Sequence, residues 1–212
     1  MRYVFNKEGE RINSTPSLPP GIVSYSFPKD LATNIVNFAK NSPEDIWIDS
    51  SVLGIEGKQS IRTSMDCNFD YNFPRIYVDH TNDLVDQYVS LYNAQFPFAA
   101  VQQREPLGML RYGPGKSYDV HCDSHWKLYR VLSMLIYLNP NEYEGGETFF
   151  PYFDLHIKPE EPAIVFFPSN YIYCHQALPV DNGEKMVLVN WMNDLPKPLH
   201  QESMDKLHQS IS

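Results

Sequence analysis

His121 and Asp123 stand two residues apart in a stretch whose alternating character predicts a strand over 118–123. Side chains at i and i+2 leave a strand on the same face, so an imidazole and a carboxylate point together while Cys122 points away. A metal needs a third donor, and His175, closing a second predicted strand over 171–175, is the best candidate. Two imidazoles and one carboxylate on one face of a metal leave open positions opposite. That arrangement suits non-haem iron(II), which must bind a co-substrate and O2 together. Taken alone, His-x-Asp is more often an ordinary hydrogen-bonded pair than a ligand set, and the motif has low specificity.

Lys185 adds a second constraint. The run KMVLVNW over 185–191 alternates, which puts Lys185 on the face of Val187, Val189 and Trp191. If that face lines a barrel, the ammonium is costly there unless it meets an anion. The far carboxylate of 2-oxoglutarate would be such an anion. The lysine follows His175 by ten residues, enough for a turn and a return strand. The alternative is a lysine simply exposed at a strand start, because the other face of the run is apolar as well.

The elements that must hold these residues fall into two halves. Residues 1–27 read as an arm, with Pro16, Pro19 and Pro20 favouring extended or turn backbone. Pro28 sits where a first-turn proline would, and Leu31, Ile35, Phe38 and Ala39 recur at helical spacing until Ser42-Pro43. Residues 46–77 are mixed, with short strand-like pieces. A second helix is expected from Thr81 to Phe96, carrying Leu84, Val85, Tyr88, Val89, Leu91 and Tyr92 on one stripe. From residue 107, short apolar runs at 107–112, 118–123, 131–138, 147–150, 155–157, 163–167, 171–176 and 186–192 alternate with turn clusters. That spacing reads as a sandwich or barrel. The expected class is α+β, a jelly-roll core behind N-terminal helices, with a domain over 28–195, its barrel over 107–195 and a polar tail over 196–212.

The chain has 212 residues, 42% hydrophobic and 20% charged, enough to bury a core. A net charge of −9 repels phosphate backbones and anionic headgroups, so nucleic acid and membrane surfaces are not expected partners. Three cysteines are too few for a disulfide scaffold; Cys122 and Cys174 are expected as buried reduced thiols behind the site, with a redox bridge between them as the alternative if their strands are neighbours. Residues 1–11 lack the apolar stretch of a signal peptide and no run is long enough to span a bilayer, so the expected location is cytoplasmic.

Four ordered segments together resemble the prolyl 4-hydroxylase-like oxygenases that depend on iron(II) and 2-oxoglutarate. They are RYGPGKSYDVHCD over 111–123, LIYLN followed by EGGETFFP over 135–151, HQALPV with Gly183, Glu184, Lys185 and Trp191, and upstream IRTS over 61–64. The resemblance covers roughly residues 25–193. It implies a double-stranded β-helix buttressed by helices, with His121, Asp123 and His175 as iron ligands. It makes Lys185 the partner of the distal 2-oxoglutarate carboxylate and Tyr137 a hydrogen-bond donor to it; Tyr137 is also a plausible packing aromatic. Tyr112, Tyr118 and Trp191 would line the cavity, and Tyr118, Trp126 and Arg130 would border the substrate. It further implies iron(II), 2-oxoglutarate and O2, with ascorbate as an accessory reductant, and a peptide or protein substrate hydroxylated at a prolyl residue.

Rival readings keep part of this pattern. The same chemistry on a free amino acid or other small molecule needs only different loops. A zinc hydrolase using His121, Asp123, His125 and His175 leaves Lys185 without a purpose, and a non-catalytic module leaves an intact donor set unused.

Overall fold

The computed structural model describes residues 18–50, 62–124 and 129–194. Helix α1 (Lys29–Asn41) starts after Pro28, whose φ of −59° is already helical, and buries Leu31, Ala32, Ile35, Val36 and Ala39. It stops at Ser42, which Pro43 forces into extended backbone. Helix α2 (Phe69–Asn72) is a single turn capped by the Asn68 side chain on the Tyr71 amide. Helix α3 (Arg75–Gln95) begins six residues before the expected Thr81. Its first turns bury only Val78, so the apolar stripe misses them, and Pro74 was the better start signal.

The strands are β1 (Val23–Ser26), β2 (Ile48–Asp49), β3 (Met65–Asn68), β4 (Gln103–Arg104), β5 (Gly108–Tyr112), β6 (Tyr118–His121), β7 (Leu132–Tyr137), β8 (Tyr143–Gly145), β9 (Thr148–Phe150), β10 (Leu155–Ile157), β11 (Ala163–Pro168), β12 (His175–Ala177), β13 (Val180–Gly183) and β14 (Lys185–Asn193). The major sheet runs β1-β11-β7-β14-β5-β3-β2, with β4 also on β14. The minor sheet runs β10-β9-β12-β6, and β13 pairs with β8. All these pairings are antiparallel. This is a jelly roll with helices on one face of the larger sheet.

The period of two along each strand sorts the side chains into two cores. Met186, Leu188 and Met192 of β14, with Leu132, Met134 and Ile136 of β7, pack on α1 and α3 residues such as Ile35, Val78 and Val85. The alternate residues, Val187 and Val189 of β14 and Tyr137 of β7, face Phe150, Leu155 and Ile157 of the minor sheet. Lys185 keeps the inward parity of Val187 and Val189 and is only 2% exposed. It is not an exposed strand start.

Three expectations change. Residues 18–27 are more than an arm, because β1 pairs with β11 at the edge of the major sheet. The stretch 171–176 divides into a 3-10 turn, Tyr171–Tyr173, capped by Asn170, and a strand that His175 opens. The short β2, β3, β4, β8 and β13 carry too few alternations to stand out in sequence. The tail expected from 196 lies outside the described residues. Among the described residues no helix is long and apolar enough to cross a membrane.

Leu188 is fully buried between the major sheet and the helices, away from the inner cavity. Leu188→Ala is expected to destabilise the fold by about 2–5 kcal/mol. Denaturant titration should show a lower midpoint with an unchanged slope.

Candidate metal centre

His121 closes β6 and His175 opens β12, and the two are direct cross-strand partners. The next pair is Tyr118 with Ala177, so β6 spends three residues where β12 spends two. This bulge brings Tyr118 onto the ring of His121, with centroids 3.6 Å apart and planes within 14°. Asp123 follows in the bend after β6. One donor atom from each of His121, Asp123 and His175 lies within 4.8 Å of the others. His121 Nε2 is 3.5 Å from Asp123 Oδ1, and His175 Nε2 is 3.8 Å from Asp123 Oδ2.

Each imidazole is held in the tautomer a metal requires. His121 Nδ1 lies 2.8 Å from the Asp119 carbonyl and His175 Nδ1 lies 3.2 Å from the Tyr173 carbonyl. A carbonyl only accepts, so Nδ1–H donates and Nε2 keeps its lone pair for the centre. Ser133 donates to Asp123 Oδ2 at 2.6 Å and is in turn 2.7 Å from Ser169 Oγ. Burial alone would raise the Asp123 pKa. The two histidines and Ser133 outweigh it and hold the carboxyl well below its usual range. Burial also pushes His175 down to about 4, opposed by Asp123, so this ring is neutral at pH 7. Two imidazoles with an ionised carboxylate are the donor set of a divalent cation.

Cys122 and Cys174 are not the buried reduced thiols expected. They form a disulfide, their Cα atoms are 4.5 Å apart, and both residues are only half-buried. The cause is the His121–His175 pairing, which makes Cys122 and Cys174 the adjacent cross-strand pair. Among the described residues the free cysteine is Cys67, buried in the helix-facing core.

A cavity opens beside the three donors. Its apolar wall includes Leu110, Leu135, Phe167, Val187 and Val189, and it also holds Lys185. The Lys185 ammonium donates to the Gly146 carbonyl at 2.7 Å and lies 5.5 Å from the ring centres of Tyr112 and Tyr137. Burial lowers its pKa to about 7, with Glu147 opposing and Lys158 assisting. Among the described residues, Glu147 is the anion that opposes this desolvation, and it does not restore the ordinary pKa.

The other expected residues divide. Tyr112, Tyr118 and Trp191 line the cavity. Tyr137 is buried just behind it and donates to Thr148 Oγ1 at 2.6 Å, so Thr148 presents the hydroxyl at the wall. Arg130 is held by Glu105 through two 2.7 Å hydrogen bonds and lies 3.8 Å over the Trp191 ring, outside the lining. Trp126 and His125 fall outside the described residues. Sequence reasoning missed Thr148, Ser133 and Arg62, all of which line the cavity. Arg62 pairs with Asp66 and sits 5.3 Å over the Tyr118 ring. Thr148 and Ser133 carried a signal, since each shares inward parity with recognised neighbours, Phe150 and Tyr137 respectively. Arg62 carried little, because its strand contact is a lone bridge to Tyr118.

Comparison with known proteins agrees with this geometry. Residues 107–193 match the model of the 2OG-Fe(II) oxygenase superfamily. Prolyl 4-hydroxylase 13 of Arabidopsis thaliana is 34% identical over 119 residues, 42% of this chain and 43% of that protein. The chain thus spans less than half the length of that relative. A PKHD-type hydroxylase of Klebsiella pneumoniae is 24% identical over 203 residues, 88% of each chain. The fold is that of a Trichoplax adhaerens prolyl hydroxylase solved with a hypoxia inducible factor peptide fragment. The TM-score is 0.67 at 17% identity, covering 82% of this chain and 84% of that one.

The buried lysine has a measurable consequence. Its folded pKa of about 7 lies below the ordinary 10.5, so its penalty on stability is full below pH 7 and fades as pH rises toward 10.5. Lys185→Met, which keeps the volume and removes the charge, should lose that pH dependence. Without added ligand, the native chain is expected to gain up to about 1.4 kcal/mol per pH unit between pH 7 and 9 relative to the variant. Thermal melts of both proteins at pH 6 and 9 check this; parallel melts would contradict it.

Proposed function

We propose, taking residues 107–193 as a domain of the 2OG-Fe(II) oxygenase superfamily, that this protein is a dioxygenase acting on a prolyl residue of a peptide or protein. The reading rests on one observation: the two-histidine, one-carboxylate cluster shares its cavity with a buried ammonium. His121, Asp123 and His175 would hold iron(II). Lys185, with the hydroxyls of Thr148 and Tyr112 on the same wall, would hold the far carboxylate of 2-oxoglutarate.

When bound, iron(II), 2-oxoglutarate and O2 supply the oxidation, yielding succinate, CO2 and a hydroxylated C–H bond. The chain supplies position and dryness. The carbonyls of Asp119 and Tyr173 fix both imidazoles as Nε2 donors, and Ser133 fixes the carboxylate. Leu110, Leu135, Phe167, Val187 and Val189 exclude water from the cavity. Lys185 exchanges the proton of binding: an arriving carboxylate favours its charged form, so above pH 7 the site takes up a proton as the dicarboxylate enters.

The prolyl substrate is supported by the relatives, whose names include prolyl 4-hydroxylase, and by the peptide bound to the Trichoplax neighbour. It also suits the site. Tyr118 and Trp191 offer flat apolar surfaces to a pyrrolidine ring, and Arg62 offers donors to peptide carbonyls.

Anaerobic titration with iron(II) and 2-oxoglutarate should give a weak visible charge-transfer band that His175→Ala abolishes. Lys185→Ala should weaken 2-oxoglutarate binding by at least about thirtyfold, the lower range for unpairing a buried charge. Unchanged affinity would remove the assigned role of Lys185. A proline-containing peptide should gain the mass of one oxygen atom with matching succinate release. Turnover of free amino acids and not of peptides would redirect the substrate assignment to small molecules.

A further inference from the structure

We propose that the Cys122–Cys174 disulfide is a thiol-exchange site that controls how firmly the metal centre is held, with a dithiol as its reaction partner. The inference builds on the metal-site reading above. Its starting point is placement: Cys122 lies between His121 and Asp123, and Cys174 precedes His175. Each half of the cross-link is therefore one peptide bond from a ligand.

The three ligands depend on this bond to different degrees. His175 sits on β12, which has β9 on one side and β6 on the other. Asp123 has anchors of its own: Ser133 donates to its carboxylate, and the next amide, Ser124 N, donates to the Ser169 carbonyl at 3.0 Å. His121 is held differently. Its strand is the edge of the minor sheet, and its pairing with β12 is interrupted by the bulge before Tyr118. On its outer side β6 has the bridge between Tyr118 and Arg62, continued by hydrogen bonds between Thr63 and Ser117, all at the end of the strand remote from His121. The Asp119 carbonyl and the Tyr118 ring, which orient the His121 ring, belong to the same four-residue strand and move with it, and its contacts beyond the strand are the other two candidate ligands, the His175 ring at 4.3 Å and Asp123 Oδ1 at 3.5 Å. The disulfide is thus the strongest cross-strand tie between the His121 end of β6 and the His175 end of β12.

The bond is also reachable. Both cysteines are half-buried, and neither lines the cavity, so a reductant approaches from the outer face without meeting a bound co-substrate. Cys67 is buried elsewhere and does not compete. The reduced state has an acceptor ready: Cys174 Sγ lies 2.9 Å from the Tyr171 carbonyl, which can accept a hydrogen bond from the new thiol. Exchange follows the ordinary course. A thiolate of the dithiol attacks one half-cystine sulfur, the S–S bond breaks, and the other cysteine leaves as a thiolate. The reagent's second thiolate then attacks the mixed disulfide and frees the first cysteine. The protein gains two electrons and two protons, and the dithiol becomes a disulfide. The disulfide form of the same reagent reverses the reaction.

Reduction leaves the fold in place and loosens His121. The test is manganese(II) binding by the whole chain, read from the free-ion magnetic resonance signal, because this probe does not change oxidation state with thiols. Three samples are compared: untreated chain, chain reduced with dithiothreitol and freed of reagent, and reduced chain reoxidised with the reagent's disulfide form. Denatured thiol counts should be one, three and one. Reduction should weaken manganese(II) binding by about tenfold or more, in the range that losing a ligand's support produces, and reoxidation should restore it. Far-ultraviolet circular dichroism should be unchanged throughout. Cys122→Ser/Cys174→Ser should bind at the reduced level whatever its treatment. Equal affinity in the untreated and reduced chain, or three thiols before reduction, overturns the proposal while leaving the metal site standing. Absence of manganese(II) binding in every form, with His175→Ala no different from the native chain, overturns the metal site and the switch together.

Discussion

Cross-strand register is the constraint on which this site depends. His121 faces His175 across β6 and β12, and that pairing decides which face of the minor sheet carries donors. Side chains alternate with a period of two, so slipping either strand by one residue would replace an imidazole with a thiol on the inner face. The bulge at Tyr118 belongs to the same device. It lets β6 pair at His121 and still turn Tyr118 onto the imidazole, which fills the space beside the centre with a ring. Cys122 and Cys174 meet for the same reason that His121 and His175 do. One register thus produces a metal face and a disulfide face back to back.

The second half of the site is set by burial. Lys185 occupies the inward parity of β14, and desolvation disfavours its charged form by an amount on the order of 5 kcal/mol. Whole domains have only about 5–15 kcal/mol of net stability. A methionine there would pack against the same walls without that cost. A charge so expensive to the empty fold, placed in a cavity open to a ligand, is best accounted for by an anion that enters and pairs with it. Gly146 and Thr148 show how the cost is contained meanwhile. The Gly146 carbonyl receives the ammonium, and the hydroxyl of Thr148 is held by Tyr137.

The sequence carried the strongly periodic parts of this structure. The 155–157 strand and the inward face of β14 are legible because alternation is unambiguous when every second residue is bulky and apolar. The start of α3 was not legible, since Arg75–His80 exposes nearly everything and presents no stripe. Tyr171–Tyr173 reads as a strand from its aromatic content, yet Asn170 caps the Ile172 amide and turns it into a 3-10 segment. The site shows the same division. His121, Asp123 and His175 could be proposed from donor chemistry and spacing, and Lys185 from its parity. The disulfide could not be assigned, because bonding of its cysteines depends on which strands are neighbours, and that information is tertiary. Arg62 was hidden for a similar reason, reaching the cavity through a lone bridge rather than a strand of its own.

Rigidity is distributed unevenly between the two sheets, and the chemistry is distributed with it. Lys185 opens a nine-residue strand that runs between two partners at the centre of the major sheet, backed by helices. The two histidines lie on strands of four and three residues in the minor sheet, one of them at its edge, and Asp123 lies in the bend that follows. The lysine proposed to bind a carboxylate is thereby fixed by the stiff half, while the proposed metal ligands belong to the half with fewer ladder bonds. A cross-link between residues separated by 52 positions compensates where the ladder is thinnest. By chain entropy alone such a loop contributes about 4 kcal/mol to the folded state. That is several times the net worth of the hydrogen bonds joining β6 to β12, each about 1 kcal/mol. The covalent tie therefore outweighs any single ladder bond at the edge that carries His121.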